Sequence, residues 1–140
     1  MVNLNDLQTL LQLLMLLSKY ESSIIVHDEF KDELVGLLAK SGSESKFLRR
    51  FESYIWQIME EGEAAIGPPG APIEHLTGQK NLCSMRFKLG ISNIRIFFVY
   101  KEGLIYLLSS FYERQGHRNT EYSTHTPIAQ ARFAELMEGE

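Results

Sequence analysis

The chain has 140 residues, enough for one compact domain with a real core. Hydrophobic residues at 44% and charged residues at 23% exclude a disordered chain, and the single Cys83 excludes a disulfide framework or a multi-cysteine zinc site and suits a reducing cytoplasm. The net charge of −4 hides a division: residues 1–74 hold 6 basic and 12 acidic side chains, residues 75–140 hold 8 and 6, a pattern compatible with a local anionic ligand.

Asn5 followed by Gln8 predicts a capped helix running to about Lys19. It carries two apolar stripes, one of Leu4, Leu7, Leu11 and Leu14 and one of Leu10, Leu13 and Leu17. Such a helix must be covered, either by its own domain or by a partner or second copy, so residues 1–19 are a candidate homodimer element. The apolar run Leu10–Leu17 is far shorter than the ~20 residues of a membrane span, and no Lys or Arg precedes it, so no membrane or signal segment is expected. Ser23–His27 reads as a strand, after which Asp28 caps a helix of Phe30, Leu34, Val35, Leu37 and Leu38 that stops at Gly42. Ser43 caps the most regular helical period, Phe47, Leu48, Phe51, Tyr54, Ile55, Ile58 and Met59, ended by Gly62. Gly67-Pro68-Pro69-Gly70 is a connecting loop.

Beyond that loop the period becomes two. Alternation in Leu82–Leu89 puts Arg86 and Lys88 on one face and Cys83, Met85 and Phe87 on the other, making Cys83 a core thiol. A turn at residues 90–93, a strand Ile94–Tyr100, a hairpin at Lys101-Glu102-Gly103 and a strand Leu104–Phe111 complete an antiparallel meander, joined by Ser23–His27. Residues 112–125 read as irregular, and Thr126-Pro127 starts a final helix to about Met137. The expected class is α+β, an antiparallel sheet with two helices packed on one face, a C-terminal helix and the extra N-terminal helix. One domain spans 20–140, with 1–19 as an accessory.

The chain has no phosphate loop, GxGxxG, HExxH or GxSxG signature, and His75, His117 and His125 lack a metal-ligand spacing, so neither cofactor nor metal is expected. What remains is basic. Arg95, the one charge in its strand, either pairs with a carboxylate, for which Glu74 and Glu113 are at hand, or reaches an open face where an anion binds. Arg86, Lys88, Arg114, His117 and Arg118 could join such a site, guanidinium groups matching phosphate and histidine exchanging protons near neutral pH.

The segments Ile73-Glu74-His75-Leu76-Thr77-Gly78, Ser84-Met85-Arg86-Phe87, Asn93-Ile94-Arg95-Ile96-Phe97-Phe98 and Leu107–Arg114, with Ile128-Ala129-Gln130-Ala131-Arg132 in the last helix, occur in this order. The ordered set resembles the RelE/HigB superfamily of type II toxins, in particular its phage-derived HigB-like branch, over roughly Ser23–Leu136. The resemblance implies a RelE-like fold and a cytoplasmic, metal-free endoribonuclease that cuts mRNA on the ribosome. Its expression would arrest growth, and a cognate antitoxin, of helix-turn-helix type, would hold it silent. In that chemistry the ribose 2′-OH attacks the adjacent phosphate. Arg86 and Arg95 would hold the phosphate, Arg114 would act as clamp or acid, and Lys88 or His117 would transfer protons. Lys80, Arg118 and Tyr122 would touch the RNA backbone or stack a base. The scaffold also implies two other readings, a non-catalytic binding module and a gyrase-directed toxin.

Overall fold

The computed structural model describes residues 4–89, 92–114 and 116–139. Its elements are α1 (Leu4–Lys19), β1 (Ile24–Val26), α2 (Phe30–Ser41), α3 (Glu44–Glu61), a 3-10 turn (Gly62–Ala65), β2 (Ile73–His75), β3 (Leu82–Leu89), β4 (Ser92–Lys101), β5 (Leu104–Tyr112) and α4 (Arg118–Glu138). The class is α+β. The five strands lie in the order β1-β5-β4-β3-β2. β1 runs parallel to β5 and the other pairs are antiparallel, so the sheet is mixed rather than the wholly antiparallel one expected.

Strand alternation sorts the sheet into two cores. Cys83, Met85, Phe87, Ile94, Ile96, Phe98, Ile105 and Leu107 face α1, α2 and α3. Leu82, Phe97, Val99, Tyr106, Leu108 and Phe111 face α4 and close around Ala129. On the first face the packing is aromatic: the Phe47 and Phe87 rings lie 4.2 Å apart, with Phe51 and Tyr54 beside them. Burying a side chain of this size contributes about 1.5–3 kcal/mol. α1 belongs to the same core through Leu13, Leu16 and Leu17, whereas its other stripe, Leu7, Leu11 and Leu14, is exposed together with Met15.

β5 contains a bulge. Phe97 pairs with Ser109 and Phe98 with Leu107, leaving Leu108 as the extra residue. The outer edge of β5 beyond the short β1 is closed by side chains: Glu33 accepts from the Ser110 N–H (2.8 Å), and Arg132 donates to the Leu108 carbonyl (2.9 Å). Arg132 also pairs with Glu33 and Glu29, fastening α4 to α2. His27 accepts the Glu29 N–H at Nδ1, so its Nε2 carries the proton and donates to Glu135 (2.9 Å).

Several local expectations shift. α1 is already helical at Leu4, so Asn5 lies inside it rather than capping it. The residue before α2 is Glu29, not Asp28, and it makes no side-chain cap bond; Ser43 precedes α3 as expected, also without a cap bond. The hairpin turn is the two residues Glu102 and Gly103, both at positive φ, the geometry that matches strand twist in a two-residue loop. Gly90 and Ile91 of the turn between β3 and β4 lie outside the described residues. The last helix starts at Arg118 instead of Thr126, and Pro127 sits inside it. Pro127 and Ser123 are both on the exposed side, where water can take the carbonyl the proline leaves unbonded. No helix among the described residues is long and apolar enough to cross a membrane.

Candidate functional site

On the α4 face of the sheet, residues from β3, β4 and β5 fall into rows. One row is Arg86 beside Arg95 beside Phe111; the next, toward the sheet end, is Lys88 beside Asn93, with the Asn93 carbonyl accepting from the Glu113 N–H. The sequence expectation that Arg86 and Arg95 share a face holds, but their surroundings differ.

Arg95 is 1% exposed. Its Nη1 donates to Glu74 Oε2 (3.3 Å), and its Nε and Nη2 donate to Glu113 Oε2 (3.3 and 3.0 Å). Of the two alternatives open to a strand arginine, the structure therefore shows carboxylate pairing, with both candidates at once. Its guanidinium is spent inside the protein and is not offered to a phosphate.

Glu74 is the hub of this cluster. It is fully buried in β2 and accepts from the Gly70 N–H (2.9 Å), Ser84 (2.8 Å), Arg95, Arg118 (2.8 Å) and Tyr122 (3.1 Å). Burial pushes its carboxyl up, but the Gly70 N–H, the Ser84 hydroxyl, Arg118 and the Tyr122 hydroxyl outweigh that and hold it below the usual carboxylate range. Arg118 lies over the Tyr122 ring at 5.0 Å and Arg95 at 5.8 Å. Burial drives the Tyr122 hydroxyl up, so it stays a donor. Glu113 is held more weakly: among the described residues only Asn93 Nδ2 reaches it besides Arg95 (2.7 Å), and neither its buried Oε1 nor Asn93 Oδ1 has a partner among them.

Arg118 and Tyr122 are thus both engaged on Glu74, although the Arg118 side chain stays 40% exposed. This also explains the early start of α4. Arg118 and Tyr122 on Glu74, with Glu121 on Arg114 (2.7 Å), anchor a turn whose polar sequence gives no helical period. Arg114 remains 55% exposed beside that partner. His117 is exposed just before α4, and Gln115 of the same loop lies outside the described residues. Lys80 is exposed in the turn before Leu82, itself about 20 Å at strand rise from Lys88 along β3, and so does not join Arg86 and Lys88.

Arg86 and Lys88 stand apart from the cluster. Arg86 is half-buried, Lys88 exposed, and neither faces a carboxylate among the described residues. They lie at the sheet end where the β5–α4 loop brings Arg114 and His117. Such a set can bind an anion and exchange a proton. It has no metal-holding counterpart: among the described residues no three His, Cys, Asp or Glu side chains are grouped to hold an ion.

Cys83 is buried, as alternation requires. Its Sγ lies 3.6 Å from His75 Nδ1, whose ring reaches Glu63 at 3.5 Å, but burial pushes the thiol up to about 12, so no thiolate forms near neutral pH.

Beneath α4, between Leu76, Thr77 and Tyr122, opens a cleft of about 610 Å³ whose one charged wall among the described residues is Arg118. Sequence reasoning named Glu74 only as a partner for Arg95. The readable signal for more was its position between Ile73 and His75, opposite the apolar side of a short strand. No protein-family model, curated protein or solved structure matches this chain.

Proposed function

We propose that this chain is the toxin component of a type II toxin–antitoxin pair with a RelE-like fold, acting as a metal-free endoribonuclease on mRNA in the ribosome. One observation carries the reading: Arg86 and Lys88 share a face, lack any carboxylate among the described residues, and lie where the loop bearing Arg114 and His117 leaves the sheet. The element order, with a first strand parallel to the last and a helix returning over the sheet, is compatible with the resemblance.

In this reading the scissile phosphate sits on Arg86 and Lys88, which stabilise the charge of the pentavalent phosphorane. His117, exposed in the loop before α4, exchanges the protons. The 2′ oxygen bonds to phosphorus as its proton leaves to a base, and the P–O5′ bond breaks as the 5′ oxygen takes a proton. The products are a 2′,3′-cyclic phosphate and a 5′-hydroxyl.

The test is inducible expression with mapping of mRNA ends. The parent arrests growth and generates new ends, co-expression of an adjacently encoded helix-turn-helix protein relieves arrest, and Arg86→Ala/Lys88→Ala abolishes both effects. Removing such phosphate contacts lowers the rate by about 10²–10³. Arrest without new mRNA ends, or a double variant as toxic as the parent, defeats the reading. Arrest accompanied by DNA breaks supports a gyrase-directed toxin instead.

A second reading has its own support. The strand arginine that would serve a nuclease is neutralised by Glu74 and Glu113, which favours a non-catalytic binding module on the same scaffold. Partner capture without any change in RNA would identify it.

A further inference from the structure

The basic side chains are unevenly provided with counterions. Lys19, Arg95, Arg114, Arg118 and Arg132 each face a carboxylate within 4 Å. Lys46, Arg49 and Arg50 of α3 face none among the described residues, like Arg86 and Lys88 of β3; Lys31, Lys80 and Lys101 also face none, but these five are the ones joined to one another through the β3 edge. Spaced i, i+3 and i+4, Lys46, Arg49 and Arg50 lie on one helix face, opposite the buried Phe47, Phe51 and Ile55. All three are exposed and line a shallow groove of about 470 Å³ with Ser53 and Tyr54.

Two bonds join this groove to the site already described. Arg50 Nη1 donates to the Lys88 carbonyl (3.3 Å), and the Tyr54 hydroxyl donates to the Arg86 carbonyl (2.9 Å). Both fall on the outer edge of β3, past the point where β2 stops pairing at Met85. The basic face of α3 is therefore fixed against the backbone of the two residues whose side chains stand on the α4 face. Five uncompensated cations form a strip that turns around the sheet edge. Burial pushes the Tyr54 hydroxyl up, and Arg50 and Arg86, both near enough to pull it back down, flank it.

The groove wall bears on the occupant. No aliphatic side chain among the described residues lines it, so it offers an amphipathic helix little to bury. It offers guanidinium forks, a hydroxyl and one aromatic ring, the elements of a surface that follows a phosphodiester chain. We infer that the strip from Lys46 through Arg49 and Arg50 to Arg86 and Lys88 is a phosphate-tracking surface. It guides a single RNA strand from the candidate site around the β3 edge onto α3. The inference rests on the RNA reading above, and names the part of the molecule that holds the strand away from the reacting phosphate.

The test uses the full chain and a fluorescein-labelled 20-nucleotide single-stranded RNA of mixed sequence, followed by anisotropy across a salt series. Lys46→Glu/Arg49→Glu is compared with Lys31→Glu/Lys101→Glu, which changes the charge equally elsewhere; Arg50 is spared because it also bonds the β3 edge. The α3 variant is expected to bind roughly tenfold more weakly, with a salt slope shallower by about 1.4 for two lost phosphate contacts, while the control stays within twofold of the parent. Equal losses in both variants, no loss in either, or no RNA binding by the parent overturns the inference. So does competition by polyglutamate as effective as by unlabelled RNA at equal charge, which would indicate an acidic polypeptide. A parent that binds RNA through α3 without cutting it defeats the nuclease reading alone. A parent that cuts mRNA while the α3 variant binds normally defeats this one alone.

Discussion

Removing the Arg95 guanidinium should destabilise the fold, whatever it does to chemistry. In Arg95→Met, Glu74 keeps Gly70, Ser84, Arg118 and Tyr122, but among the described residues Glu113 keeps only Asn93, with one carboxylate oxygen already unpartnered there. Breaking a buried ion pair from one side costs about 3–5 kcal/mol. That is a large part of the ~5–15 kcal/mol that a domain commonly has. At a urea slope near 2 kcal/mol per molar, the midpoint should fall by about 2 M. Arg95→Met/Glu113→Gln removes the stranded charge and should recover most of the loss, to within about 1.5 kcal/mol of the parent. Urea melts of the four proteins in the cycle, followed by far-ultraviolet circular dichroism, measure this directly. A single-variant shift below about 0.5 M, or no recovery in the double variant, refutes the structural account of Arg95. The double variant also separates the roles: if it folds and still arrests growth, Arg95 is structural; if it folds and is inert, Arg95 serves the phosphate.

Two further expectations concern the helices. Leu13→Ala, at a fully buried position of α1, should cost about 2–5 kcal/mol in urea melts, whereas Leu11→Ser on its exposed stripe should stay within about 0.5 kcal/mol, so equal effects would contradict the placement of α1. The His125 ring stacks on Phe111 at 4.1 Å, and burial pushes it below its ordinary value of 6.5 against the pull of Glu121 and Glu33. The unfolded chain therefore binds that proton first. Stability should be intact above 6.5 and decline as pH falls through it, and His125→Phe should flatten the change in urea midpoint between about pH 7.5 and 5.5.

What was legible in the sequence was whatever local periodicity encodes. The α3 stripe, the face shared by Arg86 and Lys88 and the turn at Glu102-Gly103 are all short-range patterns. Thr126-Pro127 misled because it is a sound helix start locally, while the true start depends on Arg118 and Tyr122 reaching Glu74, more than 40 residues away. β2, three residues long, has too few positions to show a period. The carboxylates that could pair with Arg95 could be named, but only the fold decides that both do so and leave no room for an anion. The Lys46, Arg49 and Arg50 spacing was readable on the polar side of α3, yet nothing in the sequence ties that side to β3.

The extra residue in β5 sets which way the end of that strand looks. Counting two by two from Tyr106 without the bulge, Phe111 and Glu113 would turn toward α2 and α3, Ser110 would pair with Arg95, and Tyr112 would take the place of Glu113 beside Asn93. A carboxylate would then sit among phenylalanines, and the guanidinium would lose its closest counterion. The pairing is thus encoded by parity as well as by residue identity. Losing Leu108 would keep Glu113 where it is, whereas gaining one residue after Ser109 would invert it. Chains of this build can therefore differ in whether their central arginine is silenced through a single-codon insertion, with every charged residue unchanged.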